Sequence, residues 1–199
     1  MRIGILGNGG VAVGLGAAWV AAGHEVVIAG RSSSRAAAAA SKIGAASAPL
    51  AEAVRDRDAV LLAVPWSGVE PMLRAAGDLA GVVVIDPTNA VTHAVGDHLV
   101  PGGVSAAEEI ARLAPGSLVV KAFHLVPAVA WPADLTVPLA GNDPAAMETV
   151  STLVRDAGGV PHVFGSLTRA RQLEEAAGFF IALAFAGVDP RATFPSLQG

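Results

Sequence analysis

Apolar residues fall along this chain in short continuous runs, each closed by glycine, proline or a polar turn, and strict alternation is rare. Arg2 to Leu6, Glu25 to Ala29, Ala59 to Val64, Val82 to Ile85 and Ser117 to Ala122 have the length and β-branched content of strands buried on both faces, as in a parallel sheet. Helical patterns lie between them. One follows Gly7 and closes at Gly23-His24, and an alanine-rich one covers Ser33 to Lys42 with a serine cap and Gly44 as its stop. Leu50 to Arg55 and Val69 to Ala76 continue the series, and Ile43 to Ser47 holds a short strand. Ser105 to Leu113 opens with Ser105 and Glu108 spaced as a capping box. Thr136 to Ala140 is a further strand, Gly141 to Pro144 turns into a helix ending at Ala157, and Val160 to Phe164 completes the sheet. Leu167 to Ala186 is a long apolar helix. Strands alternating with helices predict an α/β, Rossmann-type doubly wound, mostly parallel sheet with a small helical C-terminal extension. The boundary falls near Ser166, giving a Rossmann-type domain over 1–165 and a helix and tail over 166–199.

The first strand runs into Gly7-Asn8-Gly9-Gly10-Val11-Ala12 and then a helix. That order is the dinucleotide fingerprint: Gly7 permits the tight turn, Gly9 lets backbone approach a pyrophosphate, and Ala12 stands where a third small residue lets helix pack on strand. The helix N-terminus offers free N–H groups and a favourable dipole to the phosphates. An NAD site usually carries an acid at the end of the second strand. Here the chain has Gly30-Arg31-Ser32-Ser33-Ser34-Arg35 instead. Two guanidinium groups and three hydroxyls suit a 2′-phosphate, so the cofactor expected is NADP(H).

Composition narrows the chemistry. With 53% hydrophobic and 15% charged residues the chain is globular, and a net charge of −4 gives no reason to expect a nucleic acid partner. No apolar run reaches membrane-spanning length without interruption, so no membrane partner is expected. A chain that opens directly on a strand is expected to carry no signal peptide and to be cytoplasmic. The absence of cysteine excludes disulfides, thiolate nucleophiles and cysteine metal sites; the absence of tyrosine excludes the Tyr-Lys pair of short-chain dehydrogenases.

Ligands of open parallel sheets collect beyond the carboxyl ends of the strands. Four such ends are candidates: Gly7 to Ala12, Val64 to Ser67, Asp86 to Ala90 and Phe123 to Ala128. His124 is the candidate proton donor, because a histidine titrates near neutral pH. Trp66 can stack on a ring or simply pack. Asp86 is expected to cap a turn, Lys121 to be either a buried charge or a solvated one, and Arg169, Arg171, Glu174 and Glu175 to form a salt-bridged helix face or to flank an anionic ligand tail. Val91 to Gly103, with His93 and His98, is expected to be a flexible connection. The histidines are too dispersed for a metal site.

Taken in order, the Gly7 fingerprint, Gly23-His24-Glu25-Val26, Val64-Pro65-Trp66, Asp86-Pro87-Thr88-Asn89, Lys121-Ala122-Phe123, Ala140-Gly141-Asn142-Asp143 and Arg171 to Ala177 resemble the NADP oxidoreductases that depend on coenzyme F420, and the related domain of six-transmembrane metalloreductases. The resemblance implies hydride exchange between NADPH and the deazaflavin coenzyme F420, commonly in a homodimer. It implies that Gly7, Asn8, Gly9, Gly10, Val11 and Ala12 line the pyrophosphate and nicotinamide, and that Arg31, Ser32 and Arg35 hold the 2′-phosphate. Val64, Pro65 and Trp66 would border the nucleotide, and Asn89 with the Ala122 to Pro127 segment would border the nicotinamide and second substrate. The chain departs from the pattern at His124, where relatives commonly carry Asn, and at Ala12, where they carry Gly. Reduction of a flavin or a small organic substrate is the alternative activity, and an NADP(H)-binding sensor the non-enzymatic one. An apolar slot beside Asn89 and His124 would favour a ring substrate; a slot plugged by Trp131 or by the last helix would favour the sensor.

Overall fold

The computed structural model describes residues 1–125 and 135–193. Their order is β1 (Arg2–Leu6), α1 (Gly10–Ala21), β2 (Glu25–Ala29), α2 (Ser33–Ile43), β3 (Ala46–Ser47), α3 (Leu50–Ala53), β4 (Ala59–Leu62), α4 (Val69–Ala76), β5 (Val83–Asp86), α5 (Ala106–Leu113), β6 (Leu118–Lys121), β7 (Thr136–Gly141), α6 (Pro144–Asp156), β8 (Val160–Gly165) and α7 (Ala170–Phe185). Among the described residues the strands form one sheet in the order β3-β2-β1-β4-β5-β6-β7-β8. All pairs are parallel except β6 with β7. The chain winds outward from β1 in both directions, as the alternating pattern predicts, and helices cover both faces. Ile3, Ile5, Ile28, Leu61 and Ile85 pack toward α1, α2 and α6. Val27, Val60, Leu62 and Val84 pack toward α3, α4, α5 and α7. Burial on both faces is why the strands read as unbroken apolar runs.

Small residues set the layer spacing on the first face. A Cβ on Gly16 of α1 would stand 3.1 Å from the Ile5 side chain and 2.8 Å from that of Ile43. Trp19, fully buried, crosses this layer: its Nε1 donates to the Leu153 carbonyl of α6 at 2.9 Å, and its ring meets Phe123 edge-on at 6.0 Å.

Element ends move where a local bond decides. Leu167–Arg169 forms a 3₁₀ turn, so α7 starts three residues later than the apolar pattern suggests. Ser32, just before α2, is the cap, accepting from the Arg35 N–H at 3.4 Å, and Gly44 closes that helix in the left-handed region. The capping box of Ser105 and Glu108 is formed. The first half of α7 buries Ala170, Leu173, Glu174 and Ala177 against the sheet unit, whereas Phe179 and Phe185 in its second half are exposed. The connection after β5 is tied down at several points, in contrast to the flexible loop expected. Val91 bridges His98, and Gly96 lies so close to Gly178 that a Cβ on either would overlap the other's carbonyl.

Candidate functional site at the strand ends

Five parallel strands, β2, β1, β4, β5 and β6, deliver their carboxyl ends in one row, which spans roughly 19 Å at about 4.8 Å between neighbours. The candidate residues of the four strand ends lie on this row, apart from Val126 to Ala128, which with Trp131 fall outside the described residues; Arg169 to Glu175 belong to the last helix and the turn before it.

At its β1 end the row is a glycine cradle. Gly7 has φ +130°, donates to the Ala29 carbonyl at 2.8 Å, and leaves no room for a side chain, since a Cβ would sit 2.0 Å from the Ala63 carbonyl oxygen. Its role is the turn itself. Gly9 is the opposite case: a Cβ there would meet nothing within 4 Å, so the space over the α1 N-terminus is open. Helices α2, α5 and α6 each receive a side-chain cap, from Ser32, Ser105 and Asp143, whereas α1, like α3, α4 and α7, has none, and no acid lies in its first turn. Its N–H groups are left for an anion. Val11 is half-buried and Ala12 fully buried under the loop. Asn8 leans toward β2, its Nδ2 3.3 Å from where a Gly30 Cβ would be.

Arg31 and Arg35 are exposed beside this cradle, and neither guanidinium has an ion-pair partner among the described residues. Ser32 Oγ lies 3.2 Å from Ser34 Oγ as well as capping α2. Two unpaired cations and these hydroxyls therefore stand together on one loop. NADP(H) fits this chain on two counts: the open space at Gly9, and the unpaired basic loop one strand away.

Val64 and Pro65 lead from β4 into a 3₁₀ turn, Trp66–Gly68. Trp66 is half-buried against Ala90, Val100 and Ala106. A cavity of about 350 Å³ opens beside it, lined by Leu99, Val100, Pro101, Val104 and Glu109.

The β5 and β6 ends are built from buried polar groups. Asp86 closes a turn, accepting from the Thr88 N–H at 2.8 Å. Its other oxygen is 3.0 Å from Lys121 Nζ, which is also 3.0 Å from Glu174 Oε1 and donates to the Thr88 carbonyl. All three charged residues are fully buried. Lys121 is therefore the buried charge of the two alternatives, and Glu174 is not part of a surface salt bridge. Its carboxylate accepts from the Ala106 N–H at 2.8 Å and the Ala107 N–H at 3.2 Å, at the start of α5, and meets His98 Nε2 at 2.9 Å. Burial pushes the Glu174 carboxyl up, but the Lys121 charge and the hydrogen bonds of Ala106, Lys121 and His98 together hold it below the usual range.

Arg171 does form the expected pair with Glu175, at 2.7 Å, while its Nη1 donates to the Val100 and Val104 carbonyls. Arg169 lies over the Phe164 ring at 4.3 Å. Both cations are engaged within the chain.

Next to this cluster Asn89 Nδ2 donates to the His124 carbonyl at 2.8 Å. Asn89 Oδ1, Thr88 Oγ1 and both ring nitrogens of His124 are buried without a hydrogen-bond partner. Buried polar atoms rarely remain unpaired, and such a group marks a place where a ligand or water is due. His124 follows Phe123, whose φ of +63° is a costly conformation for a bulky residue. Burial first, and the Lys121 charge second, push the His124 imidazole well below its ordinary 6.5. The ring is neutral at neutral pH, which disfavours the imidazolium proton donor expected from the sequence; it offers one N–H and one acceptor nitrogen. Ala122 is fully buried. Among the described residues no cluster of His, Asp and Glu suits a metal ion.

Sequence reasoning missed the buried network. Its signal was present in Lys121, a lone cation ending an apolar run, and in Glu174, the acid between Leu173 and Ala177 on the buried stripe of the last helix.

Residues 2–90 match the sequence model of a family described as NADP oxidoreductase coenzyme F420-dependent. The chain is 31% identical over 178 residues to the metalloreductase STEAP3 of Rattus norvegicus, covering 87% of this chain and 36% of that one, so it spans little more than a third of that protein's length. Among solved structures it resembles a candidate F420-dependent NADP reductase of Arthrobacter sp. FB24, with 26% identity, a TM-score of 0.83, and coverage of 94% and 96% of the two chains. A hypothetical protein of Sinorhizobium meliloti shows 28% identity and a TM-score of 0.75, over 84% and 85%.

Proposed function

From the match of residues 2–90 to the coenzyme F420-dependent NADP oxidoreductase family and the likeness to a candidate reductase of that type, we propose that the chain is an NADP(H)-dependent oxidoreductase exchanging hydride between NADPH and coenzyme F420. The observation that carries this reading is the single row of strand ends, with an uncapped helix N-terminus and unpaired arginines at one side and unpaired buried polar atoms at the other. NADPH supplies the hydride. The N–H groups of the α1 start receive the pyrophosphate, with Gly9 and Gly10 leaving room for close approach. Arg31, Ser32 and Arg35 hold the 2′-phosphate. Asn89 and the neutral His124 orient the nicotinamide end by hydrogen bonds, and Val64, Pro65, Trp66 and Ala122 exclude water around it. Hydride transfer between two rings needs proximity and alignment, with no nucleophile, so a neutral histidine is compatible with it.

The protein acts, on this proposal, in the cytoplasm and as a homodimer, with the exposed Phe179 and Phe185 of α7 as the contact. No helix among the described residues is long and apolar enough to cross a membrane. Mixing the protein with NADPH and oxidised coenzyme F420 and following the deazaflavin's visible absorbance tests the activity. Protein-dependent bleaching is expected. Tight NADPH binding without bleaching would replace coenzyme F420 by a flavin or a small organic acceptor, to be assayed in the same way; binding with no acceptor turned over would leave the sensor.

A further inference from the structure

The described residues hold one fully buried cluster of charges, Asp86, Lys121 and Glu174, and the nucleotide-binding geometry alone does not require it. Replacing buried ion pairs by apolar groups of similar size is often neutral or stabilising, so stability is a poor reason for such a cluster. Its contacts lead elsewhere. Lys121 Nζ donates to the carbonyl of Thr88, the residue directly before Asn89. Asn89 in turn holds the His124 carbonyl, three residues after Lys121 along the chain. A closed loop of bonds therefore runs from Lys121 through Thr88 and Asn89 to His124, and back along the backbone through the strained Phe123. Four side-chain polar atoms on that loop, Thr88 Oγ1, Asn89 Oδ1 and the two His124 ring nitrogens, are buried and lack a partner.

We propose that Lys121 is a positioning residue for the nicotinamide end of the cleft, fixing Asn89 and His124 through the Thr88 carbonyl while Asp86 and Glu174 balance its charge. The inference rests on the NADP(H) reading above and deepens it. One consequence concerns α7. The family match ends at residue 90, yet the positioning group draws a carboxylate from residue 174, so the last helix is part of the foundation of the site. The same carboxylate receives the start of α5, which fixes its own position.

The test separates the two ends of the cofactor. NADPH and adenosine 2′,5′-bisphosphate, which carries the 2′-phosphate but no nicotinamide, are titrated into the wild type, into Glu174→Gln, and into the triple variant Asp86→Asn, Lys121→Met, Glu174→Gln. The triple variant strands no buried charge. It is expected to bind adenosine 2′,5′-bisphosphate as the wild type does, to bind NADPH about tenfold more weakly, the worth of one well-placed hydrogen bond, and to move the fluorescence of bound nicotinamide toward that of free cofactor. Glu174→Gln should shift both NADPH readouts the same way by less, and it decides alone if the triple variant does not fold. If the two ligands weaken together, or neither weakens, Lys121 is a structural charge and the proposal is overturned. A wild-type protein that binds neither ligand overturns the NADP(H) reading, and the positioning role with it.

Discussion

The two ends of the cleft are built in opposite ways. Around Gly7 to Ala12 and Arg31 to Arg35 the groups proposed to bind are backbone N–H and exposed guanidinium, drawn from within thirty-five residues of one another. Around Asn89 and His124 they are buried side chains supported by partners 33 to 76 residues apart. The first end is a local conformation that glycine makes possible. The second is a desolvated polar network, in which each group stays charged or oriented only because distant groups arrive beside it.

Backbone geometry should yield the largest effect. Gly7→Val places a side chain on the Ala63 carbonyl at a positive φ, and is expected to cost more than about 4 kcal/mol in urea denaturation. Gly9→Ala, in open space, should leave stability within about 0.5 kcal/mol while weakening NADPH binding. Similar stability losses at the two glycines would mean that the loop is a plain structural turn.

Next in size is the buried end. Lys121→Met alone leaves Asp86 and Glu174 without a counter-charge and should cost about 3–5 kcal/mol, whereas the charge-neutral triple variant should recover most of that. Equal losses in the two proteins would contradict a desolvation origin.

At the exposed end, Arg31→Asp should reduce NADPH affinity by about 2–3 kcal/mol, the range for a charge-assisted contact, and spare NADH. Calorimetry with both cofactors checks this, and an equal loss of the two would remove the 2′-phosphate assignment.

The smallest effect is a slope. The folded His124 pKa lies well below 6.5, so the unfolded chain binds protons first as pH falls and stability declines below about pH 6.5. Glu174, also depressed, adds a further decline through the carboxylate range as pH falls toward its folded value. Midpoints of denaturation between pH 7 and 5 should flatten in His124→Asn; an unchanged slope in that variant would assign it to another group. Because Asn offers a donor and an acceptor as the neutral ring does, the same variant should keep hydride exchange with coenzyme F420 and lower turnover only of a small organic substrate.

The fold was legible because its determinants are short-range. A continuous apolar run reports a strand covered on both faces, and Ser105 with Glu108 or Gly44 reports a helix end, all within a few residues. The glycine fingerprint and the missing acid after β2 were legible for the same reason. Lys121 was readable only as two alternatives and Glu174 was misplaced on a surface face, since nothing near either in the chain names its partner. His124 was placed correctly on the strand ends, but its protonation depends on Lys121 and on the depth of burial, neither of which is a property of the residue itself.

By itself, then, the amino-acid order determined the winding of the sheet, the glycine cradle and the basic loop, because φ preferences, apolar period and cap chemistry act between neighbours. Only the tertiary structure decided that an acid from α7 meets a lysine from β6 beneath Asn89, and that His124 is neutral. Charge and hydrogen bonding in a desolvated interior depend on which groups distant in the chain come within about 3 Å, and on how little water is left to compete with them.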